Sequence, residues 1–313
     1  MVTSLLIAAS IVAASAQSSG EPVAQPVAES AAPAAAPAPA TASPPREPHR
    51  APAGYELVFA DEFDSGTMPD PARWAYDTHR NAEGWYNAEL QYYANARREN
   101  ARIEGGNLII EARRERLDRS EFPDFGGQDY SSTRLFTKGK AAWEYGFFEI
   151  RAKLPCGRGT WPAIWMLPEA DIEWPRGGEI DIMEHVGYDP GVIHQSVHTQ
   201  AFNFSRGTQK TTEFELPTAC EQFHRYQLLW TPEMLLTGVD DQPKFLFKKV
   251  RDGQSRWPFD APMHLLLNIA VGGQWGGRKG IDDTALPAKM EIDHVRVYQL
   301  ADSQSDPDAG AAK

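Results

Sequence analysis

Apolar and polar residues alternate with a period of two along residues 106–112, 143–152, 226–230, 244–250 and 295–300, with Gly, Pro and Asp clustered between these runs. Strands buried on one face give this pattern, since successive side chains point to opposite sides of a sheet. The run 264–271, apolar apart from His264 and Asn268, reads as a strand covered on both faces. Residues 88–102, rich in Ala, Glu and Arg, have the one composition that suits a helix. Their apolar positions keep no 3.6 period, so a mostly non-helical path is predicted there. Many short strands and few helical signals predict an all-β fold, a two-sheet β-sandwich or jelly roll.

Composition sets the limits of that fold. Residues 17–52 are Ala, Pro and Ser with almost no aliphatic bulk, and the tail 301–313 is similarly poor. Neither can bury enough surface to offset chain entropy, so a disordered linker and a disordered tail are expected. Between them, 53–300 shows neither a compositional break nor an internal repeat, which predicts one domain. The apolar run 5–13, followed by Ala14-Ser15-Ala16, has the form of a signal peptide ending at residue 16. No Lys or Arg precedes it, so the α-amino group is its only positive charge. The run is too short to span a bilayer. A secreted or periplasmic monomer without a transmembrane segment is therefore expected.

The formal net charge of -12 opposes nucleic acid and anionic membrane as partners. A neutral polymer meets no such repulsion, and nine Trp and ten Tyr offer flat faces to one. Two cysteines, Cys156 and Cys220, are too few for a disulfide framework. In an exported chain they pair, or they stay as two buried thiols; the sequence leaves both open.

The most informative segment is Gly178-Glu179-Ile180-Asp181-Ile182-Met183-Glu184-His185. Three acids interleave with Ile, Ile and Met, so the apolar set should face a core and the acids the other side. Repulsion among three like charges should raise at least one pKa, which is costly for structure and useful for acid–base chemistry. The plain structural alternative is an acidic edge strand that blocks aggregation. Glu179 and Asp181 share a face, but Glu184 lies five residues from Glu179 and an ideal strand would turn it inward. One bulged residue at Ile182 or Met183 restores it. The effective spacing is then four residues, about 13 Å along the strand. Side chains leaning together by about 4 Å each leave the carboxyl groups about 5 Å apart, the separation of a nucleophile and a proton donor on one glycosidic bond.

Other segments stand in a fixed order around this one: Phe59-Ala60-Asp61-Glu62-Phe63, Asn87-Ala88-Glu89-Leu90-Gln91-Tyr92-Tyr93, Gly159-Thr160-Trp161-Pro162-Ala163-Ile164-Trp165, His198-Thr199, Gly272-Gly273-Gln274-Trp275 and Val295-Arg296-Val297-Tyr298. Together they resemble glycoside hydrolase family 16, in the bulged form of its laminarinase (endo-1,3-β-glucanase) branch, from about Tyr55 to Tyr298. The resemblance implies a curved, concanavalin-like sandwich whose concave sheet forms a glycan cleft. It implies retaining hydrolysis of β-1,3-glucan, with Glu179 as nucleophile, Glu184 as general acid/base and Asp181 assisting. Trp161, Trp165 and Trp275 match positions that line sugar subsites, Asn87 and Arg134 polar cleft positions, and His198 a histidine near the nucleophile. No cofactor is implied for catalysis. A structural Ca2+ is implied at Glu62, a carbonyl near Gly105–Gly106, and Asp293, which shares the parity of Val295 and Val297 and is expected to point inward.

Departures from the family pattern are few. Ser132-Thr133-Arg134 stands where many relatives carry Ser-Gly-Arg, and the contacts of the acidic stretch 169–174 are not predicted. Asn203-Phe204-Ser205 is a glycosylation sequon, a pattern common by chance. The alternatives are a mixed-linkage β-1,3-1,4-glucanase, another family 16 β-glycanase, and a non-catalytic, lectin-like glucan-binding protein. The acidic balance disfavours sulfated substrates.

Overall fold

A computed structural model describes residues 48–249 and 253–301. The predicted signal segment, most of the linker and nearly all of the tail lie outside the described residues, as does Val250 at the end of one predicted strand. The strands in chain order are β1 (Tyr55–Asp61), β2 (Ala75–Tyr76), β3 (Gln91–Tyr93), β4 (Ala101–Glu104), β5 (Asn107–Arg114) and β6 (Tyr130–Ser132). Next come β7 (Arg134–Phe136), β8 (Gly146–Lys153), β9 (Thr160–Pro168), β10 (Glu179–His185), β11 (Val192–His198) and β12 (Lys210–Glu215). The last are β13 (His224–Trp230), β14 (Met234–Val239), β15 (Gln242–Lys248), β16 (Met263–Val271) and β17 (Ala288–Leu300). Residues 88–102 hold the end of a one-turn helix, all of β3 and the start of β4, as the missing 3.6 period predicts.

These strands form the expected two-sheet sandwich. One sheet runs β15-β14-β13-β8-β17-β5-β6-β3, with β1 on β17 and β4 on β5; the other runs β12-β11-β10-β9-β16-β7-β2. The core is the sum of the apolar parities. Phe148, Ile150, Tyr226, Leu228, Val295 and Val297 come from the first sheet, and Ile164, Met166, Ile180, Leu265, Leu267 and Ile269 from the second. Every residue of β16 is buried. The double-faced reading of 264–271 therefore holds, for a specific reason. Alternate residues enter the core, while His264, Leu266, Asn268 and Ala270 form the floor of a cleft on the outer face of the seven-stranded sheet.

Three local expectations resolve. Cys156 and Cys220 are joined in a disulfide with Cα atoms 5.8 Å apart, tying the loop before β9 to the turn before β13. Asn203 is buried, its Nδ2 donating to the Thr199 carbonyl at 3.0 Å and its Oδ1 accepting from the Arg206 N–H at 3.2 Å, so the folded sequon has no free amide for a glycan. Asp293 does not keep the parity of Val295. The register of β17 against β8 shifts between Ile292 and His294, so Ile292 and Val295 both enter the core and Asp293 sits at the bulge between them.

Candidate active site

The central strand of the cleft is β10. Against β9, Asp181 pairs with Trp165 and Met183 with Ile164, leaving Ile182 as the extra residue. The register against β11 shifts over the same segment. The bulge lies at the first of the two positions that spacing predicts. Its effect is visible in burial, since consecutive Ile182 and Met183 both join the core. Glu179, Asp181 and Glu184 consequently all line the cleft. Glycines fix both ends of this strand. Gly178 has φ +83°, and a Cβ there would stand 2.6 Å from Pro258 Cγ. At Gly187 a Cβ would fall 1.8 Å from the Gly157 carbonyl oxygen. Any side chain at either position would push the acids out of register.

Each outer glutamate receives an indole N–H. Trp161 Nε1 donates to Glu184 Oε1 at 3.0 Å, and Trp174 Nε1 donates to Glu179 Oε2 at 3.1 Å. His198, the cross-strand partner of Glu179, holds Nε2 3.8 Å from Glu179 Oε1 and 3.4 Å from Asp181 Oδ2. Burial and then the charge of Asp181 push Glu179 up to about 8, and the same two causes, in that order, push Glu184 up to about 8. Burial holds Asp181 well above the carboxylate range. Three acids this close cannot all ionise together, so the cluster gives up its protons in steps and holds them to higher pH than ordinary carboxylates do.

From this centre the cleft, about 1060 Å³ in volume, crosses β9 and β16 to β7 and to Asp77 just past β2. Trp165 lies on its floor, its Nε1 donating to Asn268 Oδ1 at 2.7 Å. The Arg134 guanidinium stands 4.7 Å from the centre of the Trp165 ring and 2.9 Å from Asp77. Asn87 is on the wall, donating to Glu89 at 3.3 Å. Trp275 is half-buried, its ring 5.0 Å from Trp161 and 4.9 Å from His194.

Of the predicted residues, Glu179, Asp181, Glu184, Trp161, Trp165, Asn87 and Arg134 line one cleft, while His198 and Trp275 stand beside it, against Asp181 and Trp161 respectively. Sequence reasoning missed Trp174, Phe204 and Glu89. Trp174 belongs to the stretch whose contacts were not predicted, and its ring lies 5.1 Å from that of Phe204 on the rim. Glu89 was quoted within its motif but given no role. Its carboxylate accepts from Asn87 and Gln91, and burial raises its pKa.

The calcium ligands read differently. Both Glu62 oxygens accept from Arg296, at 2.7 and 2.9 Å, and Asp293 Oδ2 lies 2.9 Å from His294 Nδ1 and 3.4 Å from Arg151. Carboxylates turned to cationic partners in this way are a poor fit to an oxygen cage for Ca2+. A different set, Glu179, Asp181 and His198, has the geometry to hold a metal ion, its ligand atoms all lying within 4.8 Å of one another.

A two-sheet sandwich carrying paired glutamates and tryptophans in an open groove defines a glycan-cleaving β-protein. Comparison with known proteins agrees. Residues 88–296 match the model of "Glycosyl hydrolases family 16", and the chain belongs to that family. It is 52% identical over 254 residues to a "Beta-glucanase" of Rhodothermus marinus, covering 78% of this chain and 85% of the relative. Among solved structures, it resembles a non-specific endo-β-1,3(4)-glucanase of the same family with TM-score 0.77 and 51% identity, over 84% of this chain and 97% of that one. It also resembles the laminarinase of Rhodothermus marinus, with TM-score 0.73 and 52% identity over 78% and 97% of the two chains. The chain is a glycoside hydrolase.

Proposed function

We propose that this enzyme is a retaining endo-β-glucanase that cleaves β-1,3-glucan internally, its catalytic domain spanning 53–300. The bulge of β10 carries the reading, because it sets Glu179, Asp181 and Glu184 on one face of one strand above the cleft. Glu179 attacks the anomeric carbon while Glu184 protonates the departing oxygen. Glu184 then takes a proton from the water that releases the glycosyl-enzyme. Asp181, between them, keeps the shared proton in the cluster by its charge. Trp161 and Trp174 orient the two carboxyls through their N–H groups.

The substrate follows from the cleft walls and the relatives. Lys138 pairs with Asp171 at 2.5 Å and Arg134 with Asp77 at 2.9 Å, so these cations already have acidic partners, and burial pushes His264 down to about 4, which leaves it uncharged. Such walls suit a neutral glucan better than a sulfated one. Relatives named as a laminarinase and a β-glucanase favour laminarin. The neighbour named for 1,3(4)-linkages favours mixed-linkage glucan as the second substrate. In a panel of laminarin, lichenan, curdlan, xyloglucan and agarose, laminarin is expected to turn over fastest and to give mid-sized oligosaccharides first. Faster cleavage of agarose or xyloglucan would refute the assignment.

Export to a secreted or periplasmic location is supported by the signal-like N-terminus and by the disulfide, since such bonds persist in oxidising compartments. Among the described residues no helix is long and apolar enough to cross a membrane. A structural Ca2+ at Glu62, Gly106 and Asp293 remains the family's expectation, and the charge pairs at Glu62 and Asp293 work against it. Bound calcium would raise the melting temperature, whereas a melting curve identical in EDTA and in excess calcium would exclude it.

A further inference from the structure

We propose that Glu179, Asp181 and His198 form a binding site for a divalent transition-metal ion of the Zn2+ type, and that filling it blocks the enzyme. The block rests on the catalytic reading of Glu179; the binding site does not.

The geometry is that of a metal site in waiting. His198 Nε2 faces Asp181 Oδ2 at 3.4 Å and Glu179 Oε1 at 3.8 Å. Two ligand atoms held about 2.1 Å from one tetrahedral ion stand about 3.4 Å apart, so little movement is needed to close on it. Asp181 is 2% exposed, and its Oδ2 is a buried acceptor without a hydrogen-bond partner. An orphaned carboxylate oxygen at such depth is costly, and a cation would satisfy it. Glu184 adds a further acid to the same face of β10.

The donor set selects the kind of ion. One imidazole with two carboxylates suits zinc and its borderline neighbours, whereas calcium and magnesium prefer larger, all-oxygen shells. Access is through the cleft, which Glu179 and Asp181 line. The other cluster with ligand spacing among the described residues, Cys156, His185 and Cys220, has its two sulfurs bonded to each other, so it offers no thiolates in the oxidised protein. A metal on Glu179 would occupy the oxygen that must reach the anomeric carbon. It would therefore compete with glucan.

Calorimetric titration of Zn2+ into the EDTA-dialysed, oxidised full chain tests the site directly. One ion per chain is expected, and His198→Ala and Asp181→Asn should each weaken binding at least tenfold. Either variant suffices if the other fails to fold. Zn2+ should also raise the apparent KM for laminarin, and saturating laminarin should relieve the inhibition. Absence of Zn2+ binding, undiminished affinity in the folded variants, or inhibition that saturating laminarin leaves in place would overturn the proposal. The calorimetry needs no turnover. A chain that binds Zn2+ through these residues yet leaves laminarin intact would keep the site and discard the catalytic reading.

Discussion

Glu179→Gly is expected to reduce laminarin hydrolysis by several orders of magnitude, because it removes the atom that forms the covalent intermediate. Azide or formate should then restore turnover of an activated aryl β-glycoside. The small anion enters the space left by the carboxylate and attacks from the same side, so the glycosyl azide forms with inverted configuration. Glu179→Gln provides the control for folding. In the native chain burial and Asp181 push Glu179 up to about 8, while an unfolded glutamate ionises in the ordinary range. Between those two values the unfolded state binds fewer protons, so this carboxyl makes the fold less stable as pH rises. The Gln variant should gain in melting temperature over wild type through that window and show no gain at about pH 4, below the unfolded pKa. An inactive variant that instead melts early at every pH would mean that Glu179 is structural.

Glu184→Ala should fail in another way. It removes proton donation, which matters in proportion to how poor the leaving group is. Laminarin turnover should fall by about 10²–10⁴-fold, the range of general acid catalysis, while an activated aryl glycoside should still form the glycosyl-enzyme readily. Azide would intercept that intermediate and give a product of retained configuration, the opposite of the Glu179 variant. The pH profile supplies a second readout. Burial first and Asp181 second push Glu184 up to about 8, so wild-type kcat/KM should fall on the alkaline side as this proton is lost. The alkaline limb should disappear in Glu184→Ala with the activated substrate. Equal losses on laminarin and the aryl glycoside would contradict the acid/base role.

The placement of the three acids on one face was legible in the sequence for a physical reason. In β10 the apolar parity slips from Ile180 and Ile182 to Met183, and only a bulge reconciles that slip with three acids on one face. β17 carries the same signature, Ile292 followed by Val295, and there it was overlooked; the parity argument for Asp293 failed as a result. The sandwich was legible because each strand alternates against one core, and the run at β16 because Leu266 and Ala270 on the cleft floor continue the apolar run of its core face. What could not be read were contacts made across loops. Trp174 reaches Glu179 because the rim stretch folds back over β10, and nothing in the local pattern of 169–174 encodes that return. Glu89 acquires its environment across the chain, its backbone bridging to Gly272 just past β16 and its carboxylate feeling the charge of Arg134.

The central claim is double displacement by Glu179 and Glu184 across a short carboxyl separation. Proton NMR of the reducing ends released in the first moments of laminarin hydrolysis, before mutarotation, tests it most directly. Retention predicts the β-anomer first, with the α-anomer growing in only as the sugar mutarotates. An initial α-anomer would show single displacement by water, which needs carboxyl groups about 6.5–9.5 Å apart and would contradict the geometry assigned to the bulge of β10.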